Sequence, residues 1–207
     1  METIVHIPNL SLGNTLSVVN MINRLGGEVI IAATPDELSS AKKIILPGVG
    51  AFDVGMRELK DLGWIDVLNK LVLEQNVPIL GICLGMQFFF EDSEEGVLPG
   101  LGWIPGRLKR FVSTEENPIK IPHMGWNAIH VHQPDSIIPV MNEEELRYYF
   151  VHSYHAICGD INDLVATAHH GYDVTAAVQR NNIYGVQFHP EKSHSFGMAL
   201  LKNFLSV

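Results

Sequence analysis

Apolar positions along the first half of the chain switch between two periods. Ile4 to Ile7 is a short apolar run that predicts a strand. Leu16, Val19, Ile22 and Leu25 then recur at helical spacing, with Val18 widening the stripe, and Gly26-Gly27 stops the helix. Val29-Ile30-Ile31 reads as a buried strand. Thr34-Pro35-Asp36-Glu37 has the form of a capping box with Pro at the first helical position. Ile44-Ile45-Leu46 is another strand, ended by Pro47-Gly48. Trp64, Leu68, Leu71 and Val72 mark a further helix, and Val77 to Ile82 the next strand. Short strands, apolar on both faces and separated by helices, predict a parallel sheet covered on both sides.

The second half reads differently. Gly106 to Val112, Asn127 to Val131, Tyr148 to Tyr154, Leu164 to Ala168, Thr175 to Gln179 and Tyr184 to Phe188 all have strand character. A last helix carries Phe196, Leu200 and Phe204. The fold class expected is α/β, a three-layer α/β/α, doubly wound, flavodoxin-like arrangement, with a mainly parallel sheet and an antiparallel extension. No repeat, low-complexity stretch or linker divides the 207 residues, so one domain over 1–207 is expected.

Charge narrows the class of partner. Lys+Arg 14 against Asp+Glu 23 gives −9, and a negative surface argues against nucleic acid, whose phosphates need excess Lys and Arg. The start, Met1-Glu2-Thr3-Ile4, lacks the basic patch and apolar run of a signal peptide. Gln75 to Phe90, the least charged stretch, contains Pro78, Gly81 and Gly85 and is shorter than the roughly 20 apolar residues a membrane span needs. Two cysteines cannot form a disulfide scaffold, so a reducing cytoplasm is the expected compartment.

Candidate chemistry begins at one of those cysteines. Gly81-Ile82-Cys83-Leu84-Gly85 sits where an apolar strand meets a helix, the arrangement of a nucleophile elbow with Cys in place of Ser. A nucleophile on a cramped turn needs small neighbours, which Gly81 and Gly85 provide. The helix start favours a thiolate, and the Leu84 amide points to where an oxyanion would form. A small buried hydrophobe is the alternative for Cys83, and the one adopted for Cys158. A thiol nucleophile needs a base. His189-Pro190-Glu191 follows an apolar strand, and in extended backbone His189 and Glu191 leave the chain on the same side, so Glu191 could hold the imidazole. Pro47-Gly48-Val49-Gly50 lacks the Lys-Ser/Thr ending of a phosphate loop and reads as a second oxyanion donor or as an ordinary tight turn.

Together, Pro47-Gly48-Val49-Gly50, then Gly81-Ile82-Cys83-Leu84-Gly85-Met86-Gln87, then His189-Pro190-Glu191 resemble the class I (triad-type) glutamine amidotransferases, in the same Cys, His, Glu order. Finer motifs are similar to those of the glutaminase subunits of imidazole glycerol phosphate synthases: Pro122-His123-Met124-Gly125-Trp126-Asn127, Tyr149-Phe150-Val151-His152-Ser153-Tyr154 and Gly185 to Ser193. The likeness runs from about Gly13 to Phe204. It departs in the stretch Asn9-Leu10-Ser11-Leu12-Gly13-Asn14, where such chains usually carry Asp-Tyr-Gly-x-Gly-Asn: Gly13-Asn14 is kept, and the acid, the Tyr and the first Gly are not.

The resemblance implies hydrolysis of L-glutamine by Cys83, His189 and Glu191, with an oxyanion hole from Val49, Gly50 and Leu84 and no cofactor or metal. It places Gly50, Gln87, His152, Ser153 and Tyr154 on the glutamine, and Met124, Trp126, Asn127 and Tyr149 on the face of a partner. The implied partner is a cyclase subunit with a (β/α)8 barrel, forming a heterodimer that serves histidine biosynthesis; a sugar amidotransferase subunit is the alternative. Subunits of this kind are usually nearly silent until a partner reshapes the oxyanion turn. A non-catalytic regulatory module is a third reading. Metal hydrolysis at His130, His132, His169 and His170 is disfavoured, since no Cys or carboxylate joins them at ligand spacing. The Glu143-Glu144-Glu145 run reads as a solvated face.

Overall fold

The structure is a computed structural model and describes residues 3–139 and 145–207. The first half follows the predicted alternation: β1 (Ile4–Pro8), α1 (Thr15–Arg24), β2 (Glu28–Ala32), α2 (Pro35–Leu38), β3 (Ile44–Gly48), α3 (Phe52–Asp61), α4 (Trp64–Asn69), β4 (Ile79–Cys83) and the single turn α5 (Leu84–Gln87). In the second half come β5 (Asp92–Ser93), β6 (Gly106–Arg110), β7 (His123–Val131), β8 (Arg147–His152), β9 (Tyr154–Cys158), β10 (Leu164–His169), β11 (Asp173–Arg180), β12 (Ile183–Val186) and α6 (His194–Ser206).

Nine strands form one sheet in the order β2-β1-β3-β4-β12-β11-β10-β7-β8. Pairing is parallel from β2 through β12 and antiparallel beyond. Alternation along β3 divides the core: Ile44 and Leu46 join Leu38, Phe52 and Leu68 on one face, while Ile45 joins Val18, Ile22 and Leu200 on the other. Both faces are therefore covered by helices.

The capping of α2 is close to the predicted form. Thr34 Oγ1 accepts from Glu37 N at 3.4 Å, but Glu37 reaches back to Ala33 N at 2.8 Å. Two strand assignments need correction. Val29-Ile30-Ile31 is not buried: β2 is the edge strand, and Ile30 and Ile31 are exposed. The run read as one strand from Tyr148 to Tyr154 breaks at Ser153. β8 ends the large sheet at His152, and β9 continues into a small sheet of order β5-β6-β9. Period-two alternation persists across such a switch, so the pattern alone does not show it.

One pairing builds the site. β12 enters parallel to β4 with Gly185 opposite Gly81 and Val186 opposite Ile82. The chain leaving β12 toward His189 thus emerges beside Cys83 at the carboxyl ends of the strands, where open α/β sheets bind ligands.

Candidate active site

Cys83 occupies a backbone conformation that L residues avoid, φ 54° and ψ −109°. The turn is forced by contact between β3, β4 and α5. A Cβ at Gly85 would run into the Leu46 carbonyl oxygen, and one at Gly81 would lie 2.6 Å from Met86 N. These two positions are glycine for the reason expected from the elbow. Cys83 is 6 % exposed as a residue and lines a cavity.

That cavity measures about 290 Å³ and is lined by Val49, Gly50, Cys83, Leu84, Gln87, His152, Ser153 and Tyr154, together with Glu95, Pro122 and Val151. Every residue assigned above to glutamine or the oxyanion hole lies on this one wall. Leu84 opens α5, so its N–H has no intrahelical acceptor. Gly48 pairs with Cys83 across β3 and β4, which sets the Val49–Gly50 peptide beside the elbow, and Gly50 takes a left-handed φ of 114°.

His189 and Glu191 are not among the residues lining the cavity, and His189 neighbours Cys83, which is. His189 Nδ1 and Glu191 Oε1 are 2.7 Å apart, and both side chains are almost wholly buried. The pair meets by a different route from the extended backbone predicted. His189 is extended, but Pro190–Lys192 is a 3₁₀ turn that swings Glu191 back. The backbone of His189 is fixed to β8 through its N–H to Tyr149 O at 2.9 Å, and Ser193 Oγ donates to its carbonyl at 2.6 Å. Among the described residues its Nε2 has no well-aligned hydrogen-bond partner, and Cys83 is near enough to act on the ring. Burial alone would lower the His189 pKa. The neighbouring Cys83 sulfur and the Glu191 carboxylate, the latter bonded to Nδ1, outweigh it and hold the imidazolium up to about 9. A buried imidazolium between a carboxylate and a sulfur is poised to give and take protons at the sulfur's side. By contrast, burial pushes the Cys158 thiol up to about 11, so it stays protonated.

Residues 9–207 match the profile of the family described as glutamine amidotransferase class-I. The chain belongs to that family. An "imidazole glycerol phosphate synthase subunit HisH 2" of Methanococcus maripaludis is 48 % identical over 199 residues, covering 96 % of this chain and 97 % of that one. A HisH subunit of Bdellovibrio bacteriovorus is 46 % identical and covers 98 % and 100 %. Among solved structures, PurLQS from Thermotoga maritima superposes with a TM-score of 0.73 at 18 % identity, over 100 % of this chain and 99 % of its own. A protein described as a glutamine amidotransferase gives 0.71 at 18 %, over 98 % and 97 %. These structures share the fold of this amidotransferase chain.

Other predicted residues fall as follows. Gln87 does not face solvent: its Nε2 donates to Tyr154 O at 3.2 Å and to Gln187 Oε1 at 3.0 Å, leaving its own carbonyl oxygen for a ligand. His152 borders the cavity, yet both ring nitrogens are committed, to Tyr154 O at 2.8 Å and His123 at 2.9 Å. Met124 and Trp126 are 62 % and 42 % exposed, so Trp126 is not core. The Trp126 ring stands edge-on to Tyr149 at 6.4 Å and stacks on His194 at 5.5 Å. Asn127 points to the opposite face of β7 and is bonded to His123 at 3.0 Å.

Glu95, which carries no motif signal in its acidic run, is the carboxylate on the cavity wall, with one oxygen accepting from Phe52 N at 2.9 Å. Among the described residues, no cluster of His, Cys, Asp and Glu could hold a metal ion, and no helix is long and apolar enough to cross a membrane. Glu145 is exposed; Glu143 and Glu144 lie outside the described residues.

Proposed function

We propose that this chain is the glutaminase subunit of an imidazole glycerol phosphate synthase, hydrolysing L-glutamine and passing ammonia to a cyclase subunit. The observation that carries the chemistry is the strained Cys83 elbow, opening on a cavity and backed by the His189–Glu191 pair 2.7 Å apart. Identity of 46–48 % to HisH subunits over nearly the whole of both chains supports the pathway.

In this reading the Cys83 thiolate attacks Cδ of glutamine, forming a C–S bond and an oxyanion. The Leu84 amide and one from Val49–Gly50 hold that oxygen; one such donor is typically worth about 3 kcal/mol. His189 gives its proton to the amide nitrogen, the C–N bond breaks and ammonia leaves, with a thioester remaining. Water then attacks the thioester, His189 takes its proton, and collapse returns thiolate and glutamate. Glu191 fixes the imidazole throughout. Glu95 and the free Gln87 oxygen are acceptors suited to the ammonium of glutamine, and the Ser153 hydroxyl suits its carboxylate.

The exposed Met124 and Trp126, with the half-buried Tyr149 edge-on to Trp126, form an apolar face suited to a partner that excludes water and keeps ammonia uncharged. A second reading sends ammonia to a sugar amidotransferase. It is favoured by the departing Asn9–Asn14 turn, which is tied to α3 by Ser11–Glu58 bonds and sets Leu12 against Gly50 of the oxyanion turn.

Glutamine hydrolysis measured with the cyclase, with a sugar amidotransferase, and alone tests both. Stimulation by the cyclase and its loss in Cys83→Ala are expected. Undiminished hydrolysis in Cys83→Ala would refute the triad assignment, and stimulation by the sugar enzyme alone would overturn the pathway.

A further inference from the structure

Gln187 is fully buried, and its Nε2 lies 3.6 Å from the Cys83 sulfur. Its Oε1 accepts from Gln87, whose same nitrogen also donates to Tyr154 O. That carbonyl accepts a second bond, from His152 Nδ1 at 2.8 Å. A carbonyl oxygen can only accept, so His152 carries its proton on Nδ1 and accepts at Nε2 from His123 Nδ1, 2.9 Å away. His123 Nε2 must then accept from the Asn127 amide at 3.0 Å. The Asn127 amide cannot turn over, because its oxygen accepts from Ala128 N at 2.8 Å and its nitrogen donates to His169 O at 2.8 Å. The Tyr154 carbonyl fixes the other branch as well: Gln87 must turn its nitrogen to it and to Gln187 Oε1, which leaves Gln187 presenting N–H to sulfur.

We infer that Gln187 is a positioning residue for the glutaminase reaction, holding the Cys83 sulfur with an N–H whose direction is set, through Gln87, by the Tyr154 carbonyl. The inference rests on the reading of Cys83 as the nucleophile. A donor aimed at sulfur stabilises the thiolate and fixes its line of attack; a carbonyl oxygen turned there would repel it. Burial holds His123 down to about 4 and His152 to about 3, as a line built from neutral rings requires. The titratable groups around the sulfur are His189, with Glu191 behind it, and Glu95 across the cavity.

The test uses the full chain with Cys158→Ser, leaving Cys83 as its one thiol. The rate of alkylation by iodoacetamide is followed against pH in this background and in Gln187→Met and Gln187→Glu. Methionine keeps the shape and removes the donor; the midpoint should rise by about one unit, an alkylation about tenfold slower below it. Glutamate should raise it further. In the complex, kcat should fall with the KM for glutamine little changed. A folded Gln187→Met whose midpoint stays within about 0.3 unit of the parent overturns the inference. The alkylation needs no glutamine, so it remains decisive if the chain proves not to hydrolyse it.

Discussion

At the scale of single residues, the site depends on side chains whose bonding capacity is already partly spent. Gln87 has only its oxygen left, and Glu95 gives one oxygen to the first turn of α3 and keeps the other for the cavity. Both are acceptors, matched to an ammonium. Replacing Glu95 by Gln keeps an acceptor for Phe52 N while removing the charge. Charge-assisted hydrogen bonds contribute about 1.5–3 kcal/mol, so the KM for glutamine should rise about 10- to 100-fold. The kcat should change little, since this contact exists equally before and during reaction. Steady-state kinetics in the complex give the answer; an unchanged KM removes Glu95 from the substrate. Cys83, His189 and Glu191 were legible as residues because a nucleophile on a tight turn constrains its neighbours to glycine and demands a base. Glu95 was not, because Glu91-Asp92-Ser93-Glu94-Glu95 looks like solvated surface until the fold turns one carboxylate inward.

Secondary-structure elements are held by a few contacts that no periodic pattern reveals. Lys43, in the approach to β3, is buried, and its Nζ donates to the carbonyls of Phe204, Leu205 and Val207 at 2.9, 2.7 and 2.9 Å. It closes the carboxyl end of α6, where orphan carbonyls and the negative end of the helix dipole gather. Lys43→Met keeps most of the stem and removes the three donors. The expected loss is about 1–3 kcal/mol of stability, the penalty for unsatisfied buried acceptors, with the α6 end fraying first. Urea unfolding and hydrogen exchange at Leu201 to Leu205 measure both; full stability would show that water serves those carbonyls equally well. The elements themselves were mostly readable from period. The exceptions are instructive: β2 has the apolar run of an inner strand yet lies at the edge, and β8 and β9 share one alternation across a change of sheet at Ser153. Burial and pairing partners are properties of the assembled sheet, not of a segment.

For the whole molecule, the strands of the second half bury histidines, His123, His152 and His155, whose charging opposes folding. His123 and His152 bond to each other inside the chain, His170 stacks on His123 at 4.3 Å, and Phe111 packs against His152 and His155. Burial, helped by the nearby imidazoles, lowers His123 to about 4 and His152 to about 3, and burial also lowers His155. The sign follows from proton counts. Below the ordinary histidine value of about 6.5 the unfolded chain binds protons that the folded chain refuses, so stability present above that pH is lost as it falls toward 4 and 3. Two such rings give a slope of up to about 3 kcal/mol per pH unit. His189 works in another window: raised to about 9, it stabilises the fold fully below about 6.5, and that contribution is lost as pH climbs toward 9. The two effects place the stability maximum near 6.5 and make the acid side the steeper. Calorimetric unfolding at about pH 5 in buffers of different ionisation enthalpy should show roughly two protons taken up from the histidine line. In His123→Gln, where glutamine can still donate to His152, the uptake should fall by about one. An uptake that does not change on this substitution would mean that His123 is already protonated in the folded chain, and its bonding to His152 and Asn127 as a neutral ring would fail with it.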